Sequence, residues 1–226
     1  MGIRFSQSKS LGWKVAQRLR NAYVKCYSFW VRPHFKALKS YLQPDTEITN
    51  PQFISIGRNV QIRPGVWLYA ITGDLTESNL FRPSLEIEDH CSIGRFCHIT
   101  CSNRIVLGEA VLLAESILIA DNSHGYEDTT IPVIAQAHVS SGPILVGCGT
   151  WIGNGARILG KVKIGRNCVI GTNCVLTNMD IPDYSIVVGI PARIVRRFDP
   201  IAQLWRRTDP QGSFSEETSA RAKSDK

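Results

Sequence analysis

From Ile144 the chain reads ILVGCG, TWIGNG, ARILGK, VKIGRN, CVIGTN, CVLTNM, six hexads without a gap. The third residue of each is aliphatic: Val146, Ile152, Ile158, Ile164, Ile170 and Leu176. The first is small or medium: Ile144, Thr150, Ala156, Val162, Cys168 and Cys174. Gly often follows the aliphatic residue, at Gly147, Gly153, Gly165 and Gly171. The spacing recurs upstream through Ile56, Ile62 and Leu68, then Ile87, Ile93 and Ile99, then Leu107, Leu113 and Ile119. It breaks at an insertion over 71–84, at a two-residue slip near Asn103, and at a long insertion over 121–143.

A period of six matches neither an α-helix nor the alternation of a hairpin sheet. It matches a short strand and a turn, repeated as one side of a prism, with three hexads to a triangular coil. The aliphatic residue points to the axis and the small residue lies near a corner. Gly permits the tight turn. Backbone hydrogen bonds then run between stacked coils, as in other solenoids. Cys91, Cys97, Cys168 and Cys174 hold the small corner position and read as buried hydrophobes, not ligands or nucleophiles.

Of the 226 residues, 43% are hydrophobic and 20% charged, which excludes a largely disordered chain and a polytopic membrane protein. The longest mostly apolar stretch, 105–120, carries Glu109 and Glu115 and is too short to cross a bilayer. The net charge of +7 is concentrated at one end. Residues 1–44 hold nine Lys and Arg and no Asp or Glu, while the rest hold 17 basic and 19 acidic residues. A nucleic-acid-binding reading of the whole protein loses its support there. No secretory signal is legible, so the seven cysteines are expected to be reduced in a cytoplasmic setting.

Three segments follow: 1–50, a basic amphipathic helical segment; 51–197, the repeat domain with its loop 121–143; and 198–226, a C-terminal extension and mobile tail. Within 10–43, Leu11, Val15, Leu19, Tyr23 and Cys26 share one side of a helix, with a second helix expected after Pro33. Residues 193–206 are expected to form a capping helix or turn, anchored by Leu204 and Trp205. Two readings of the N-terminus stand. It is either a solvated helix capping the first coil or a surface drawn to anionic lipid, peripheral at the inner face of a membrane. Trp13, Tyr23, Tyr27, Phe29 and Trp30 among the Lys and Arg suit the second.

The fifteen hexads and the loop string Asp121-Asn-Ser-His-Gly-Tyr-Glu-Asp128 resemble the hexapeptide-repeat acetyltransferases, in their sugar and polysaccharide O-acetyltransferase branch. The resemblance covers roughly residues 54–197. It implies an all-β solenoid, a left-handed parallel β-helix, that forms homotrimers with sites between subunits. It implies acetyl-CoA as donor, no metal, and a sugar or glycan as acceptor, by direct transfer without a Ser or Cys nucleophile.

The resemblance makes His124 the general base. An imidazole with an ordinary pKa near ~6.5 suits base and then acid work. Asp121 and Glu127 either orient that ring or bind acceptor hydroxyls. His98 and Asn103 lie where the family contacts its acceptor. His90 and His138 read as structural or exposed. For coenzyme A, Trp151 and Asn154 match the family's Trp-Ile-Gly-x turn, and Gly171 and Thr172 match a turn whose amides bond the pantetheine arm. Thr177 and Asn178 match a Thr-Lys pair, with Asn178 in place of the Lys and Met179 reading as an insertion. Arg193 and Arg196 match basic residues near the adenosine phosphates.

The near alternative is N-acetylation of an amino sugar, which needs the same base. A zinc carbonic anhydrase on this fold would need a His-x-x-x-x-His pair, and none exists among His34, His90, His98, His124 and His138. A non-catalytic scaffold is the remaining alternative.

Overall fold

The computed structural model describes residues 11–73 and 80–214. Outside them lie the first ten residues of the basic segment, part of the 71–84 insertion, and most of the expected tail, as do the side chains of Leu11 and Trp13.

The hexads form short parallel strands. Ile144 pairs with Val162, Trp151 with Val169 and Arg157 with Val175, each partner eighteen residues on. Three hexads therefore make one coil. The first side stacks Ile54–Ile56, Ser84–Ile87, Arg104–Leu107 and Ile144–Val146. The second stacks Gln61–Ile62, Ser92–Ile93, Leu112–Leu113, Trp151–Ile152, Val169–Ile170 and Ser185–Val188. The third stacks Trp67–Ala70, His98–Cys101 and Leu118–Ala120. The long strands Arg157–Ile164 and Val175–Ile181 continue from the third side onto the first.

First and third positions of each hexad both point inward. Ile144, Ile152, Ile158, Ile170 and Leu176 are fully buried in one continuous core. Each such side chain contributes about 1.5–3 kcal/mol. The corner cysteines are buried as expected. Cys91, Cys97 and Cys168 donate their thiols to carbonyls of Gly108, Ala114 and Pro182 on the next coil. Burial pushes the thiols of Cys91 and Cys97 up to about 11.

The reason for the glycines differs from the expectation. Gly94 follows an inward Ile, and a Cβ there would overlap the carbonyl oxygen of Ala114 on the coil above. This column holds glycine for close approach between coils. The left-handed backbone lies elsewhere, in two corner columns. One contains Asn59, His90, Ala110, Gly149 and Asn167; the other contains Phe96, Ser116, Gly155 and Asn173. His90 is thus a turn residue.

The N-terminal helix spans Leu11–Val31. Its buried contacts are Val24 and Ser28; Ser28 donates to the carbonyl of Val24 and accepts from the amide of Leu42. The second helix expected after Pro33 is absent. A 3-10 turn, Arg32–His34, leads into strands Ala37–Leu38 and Glu47–Thr49, which pair with the first coil. Proline and β-branched residues favour extended chain here. The C-terminal expectation also changes. Arg193–Asp199 and Leu204–Arg207 form an antiparallel strand pair on the second side, with no helix. Asp199 holds the intervening turn through the amides of Ile201 and Ala202 and an ion pair with Arg206 at 2.9 Å. Leu204 and Trp205 stay partly exposed, and Trp205 packs edge-on against Phe198.

Candidate active site

The 121–143 insertion leaves the third side after Ala120 and returns at Ile144. Its base is built by Asp121, which is wholly buried. The Asp121 carboxylate accepts from the amides of Ser102 and Asn103, the Ser102 hydroxyl and the Asn122 side chain. This changes the reading of Asp121 as an acceptor contact: the group is consumed in tying the loop to the slip near Asn103. Asn103 is exposed beside that anchor, and its amide is one of the four donors.

Above the base, Asn122–His124 pairs antiparallel with His138–Ser140. His124 stands directly opposite His138, with ring centroids 4.3 Å apart and planes at 84°. The Gly125 amide donates to Ala137, and the Ser141 amide donates to Asp121, so both ends of this ribbon are closed. Further out, Gln136 brackets Asp128 with two hydrogen bonds, and the Asp128 carboxylate caps Thr130. His124 is exposed and held on a braced strand, where its ring is open to a second molecule. Glu127 is exposed three residues beyond the strand.

His138 was not legible as a site residue. Only the register of the ribbon, set by its two closed ends, brings it to His124. His98 lies on the third side next to Leu118, two residues before Ala120 on the neighbouring strand. It stacks flat on Trp67, with centroids 4.5 Å apart and planes at 3°. It therefore flanks the strand from which the loop departs, in an aromatic setting with Tyr69.

The expected donor residues lie on the upper coils. Trp151 is 47% exposed on the second side. Outward positions there run in register from Leu112 through Trp151, Val169 and Ile186 to Arg196 and Arg207. The row passes from apolar to cationic. Trp151 to Arg196 is three strand spacings, roughly 14 Å. Val169, Ile186 and Arg207 join this row only through the stacking of the strands, which is tertiary. Arg193 is exposed opposite Val188 in the same pair of strands.

Other donor residues have structural partners. The Gly171 amide donates to Val187, so it is committed to the next coil. The Asn154 side chain accepts from the amide of Glu115. Thr172 and Thr177 are exposed. Asn178 has left-handed backbone, and its side chain accepts from the Lys161 amide at a bulge. Met179 is not an added residue relative to the coil below. It pairs with Val162, and the corner there is one residue shorter than Gly160–Lys161 beneath it.

Among the described residues, no group of three His, Cys, Asp or Glu side chains is placed to hold a metal ion, and no helix is long and apolar enough to cross a membrane.

The bacterial transferase hexapeptide (six repeats) pattern matches residues 143–178. A Mycobacterium tuberculosis protein named "Probable acetyltransferase Rv3034c" is 30% identical over 202 residues, 85% of this chain and 64% of that protein. A candidate lipopolysaccharide-biosynthesis O-acetyltransferase of Escherichia coli is 24% identical over 125 residues, covering 53% of this chain and 63% of that protein. The chain thus spans less than two thirds of the length of these relatives. The fold is shared with an N-acyltransferase from Bacillus cereus, solved with dTDP and 3-hydroxybutyryl-CoA. The TM-score is 0.60 at 18% identity, over 75% of this chain and 86% of that one. The chain thus carries the transferase hexapeptide repeat over residues 143–178 and is similar over most of its own length to a protein named as an acetyltransferase.

Proposed function

We propose that this chain is an acetyl-CoA-dependent O-acetyltransferase acting on a sugar hydroxyl of a surface polysaccharide, lipopolysaccharide or related glycoside. The observation that carries it is His124, exposed on a ribbon whose base is fastened by Asp121. The coils are read as a left-handed β-helix that assembles into trimers, with each site between subunits. The exposed Tyr126, Ile134 and Val139 of the lobe support such a contact.

The His124 imidazole takes the acceptor hydroxyl proton as the oxygen attacks the thioester carbonyl. The tetrahedral intermediate then collapses, the C–S bond breaks, and the imidazolium returns the proton to the departing thiolate. His98, Glu127 and Asn103 serve the acceptor. The row from Trp151 to Arg196, with Arg193, Thr172 and Thr177, serves coenzyme A. Its apolar part suits the arm and its arginines suit the phosphates. An amino-sugar acceptor would use the same base.

The test is thiol release from acetyl-CoA with a panel of glycosides and amino sugars. Native protein should turn over a hydroxyl acceptor, and His124→Ala should lose turnover while keeping coenzyme A binding. An active His124→Ala protein would refute the base, and failure of the native protein to bind coenzyme A would favour a scaffold.

The N-terminal helix adds a location to this reading. Leu19 and Trp30, 67% and 75% exposed, share one outward side with Val15 and Tyr23, bordered by Lys14, Arg18 and Lys25. Such a stripe suits an anionic membrane surface at the cytoplasmic face. Leu19→Ser with Trp30→Ser should release the protein from anionic vesicles; unchanged co-sedimentation rejects the location.

A further inference from the structure

A cleft of about 530 Å³ lies between the N-terminal helix, the strap that follows it and the first coil. Arg20 and Arg32 line it from the helical side, Lys39 from the strap and Arg63 from the coil. No Asp or Glu lines it. Four arginines elsewhere among the described residues, Arg58, Arg104, Arg166 and Arg206, do have acidic partners. A neighbouring cleft of about 360 Å³ is lined by Glu86, Glu88, Asp89 and Glu109. Lys39 lines both clefts and feels the charge of Asp89, so the three arginines carry the contrast.

Two of those arginines are held by neutral groups. The Arg20 guanidinium donates to the Gln43 side-chain oxygen and that of Arg63 to Gln61, both at 3.4 Å. An amide oxygen orients a guanidinium without cancelling its charge. Cations gathered in one concavity repel each other and raise a positive potential, which a bound anion relieves. Guanidinium forks match phosphate oxygens in pairs, and several forks around one cavity suit a group with many equivalent oxygens. Asn59 and Tyr41 add neutral polar side chains to the lining.

We infer that this cleft is a binding site for a phosphate or pyrophosphate group, separate from the acetyl-transfer residues. The group is carried either by a soluble molecule or by a lipid. The inference does not depend on the activity proposed above.

The test uses calorimetry with inorganic pyrophosphate on the full chain. Saturable binding is expected, and Arg63→Gln and Arg20→Gln should each weaken it by about tenfold. Lys163→Gln, an exposed cation on the fifth coil, should not change it. Melting temperatures report whether each variant folds, and Arg63 is exposed and lies outside the helix, so its replacement leaves the helix stripe intact. Co-sedimentation with phosphatidic acid vesicles forms the second arm. Loss of vesicle binding in Arg63→Gln with weak pyrophosphate binding assigns the lipid source, and the reverse assigns the soluble one. If the native protein shows neither interaction, or if both arginine variants bind as the native protein does, the site is overturned.

Discussion

The coils over 144–181 and the lobe over 122–141 adjoin in sequence but are built on opposite terms. In the coils every inward hexad position is buried, and each strand before the last, Val175–Ile181, is paired on both sides by its neighbours. In the lobe no residue is fully buried and most are exposed, and order comes from one short ribbon and a few polar brackets. Repetition supplies a rigid frame. Departure from repetition supplies a surface whose groups are free to meet a second molecule.

Paired substitutions break this comparison most sharply. His124→Ala should lower turnover by about 10²–10⁴-fold with an unchanged melting temperature, read by thiol release and calorimetry. Ile158→Ala should do the opposite. It should cost about 2–5 kcal/mol of stability in denaturant melts, with the site chemistry intact wherever the protein stays folded. Gly94→Ala tests the frame without touching its apolar core. The added methyl meets the Ala114 carbonyl oxygen, and a loss of about 3 kcal/mol or more is expected. A neutral result would mean the coils can separate at that corner.

Asp121→Asn probes the join between the two regions. An amide offers one acceptor atom where the carboxylate satisfies four donors, so a loss of about 1–3 kcal/mol is expected. If the lobe is positioned from this base, turnover should fall as well. Unchanged turnover would show that the ribbon places His124 by itself.

The smallest effect concerns pH. Burial raises the thiols of Cys91, Cys97 and Cys174 to about 11 and that of Cys101 to about 12, against an ordinary 9.0. Their contribution is complete below the unfolded value. It declines as pH rises from about 9 towards 11, because the unfolded chain releases these protons first. Melts across that window should show falling stability in the native protein and a shallower fall in Cys97→Ala. At neutral pH, a thiol reagent should modify the exposed Cys26 and Cys148 well before the five buried cysteines.

Most of the frame was legible because a six-residue period leaves few foldings for its aliphatic positions. Ile56 through Leu176 lie where the period puts them. The role of the glycines after those residues was not. Spacing marks a glycine but does not tell a left-handed corner from a close approach, and only the coil above Gly94 decides. The helix expected after Pro33 and the cap expected over 193–206 failed for a related reason. Each short segment takes its form from the open strand edge it covers. In the candidate site, the loop string marked out His124, but neither the anchoring of the loop by Asp121 nor the approach of His138 to His124 could be read from it.

The sequence alone determined the six-residue period, the buried positions, the interrupting loop and the one-sided charge, since each is a pattern along the chain. The tertiary structure decided which side of the N-terminal helix faces out and which histidine stands against His124. It also decided which outward residues line up from Trp151 to Arg196 and which arginines share a cleft without a carboxylate. Those are relations between residues far apart in sequence, set by strand register and coil stacking, and no local period encodes them.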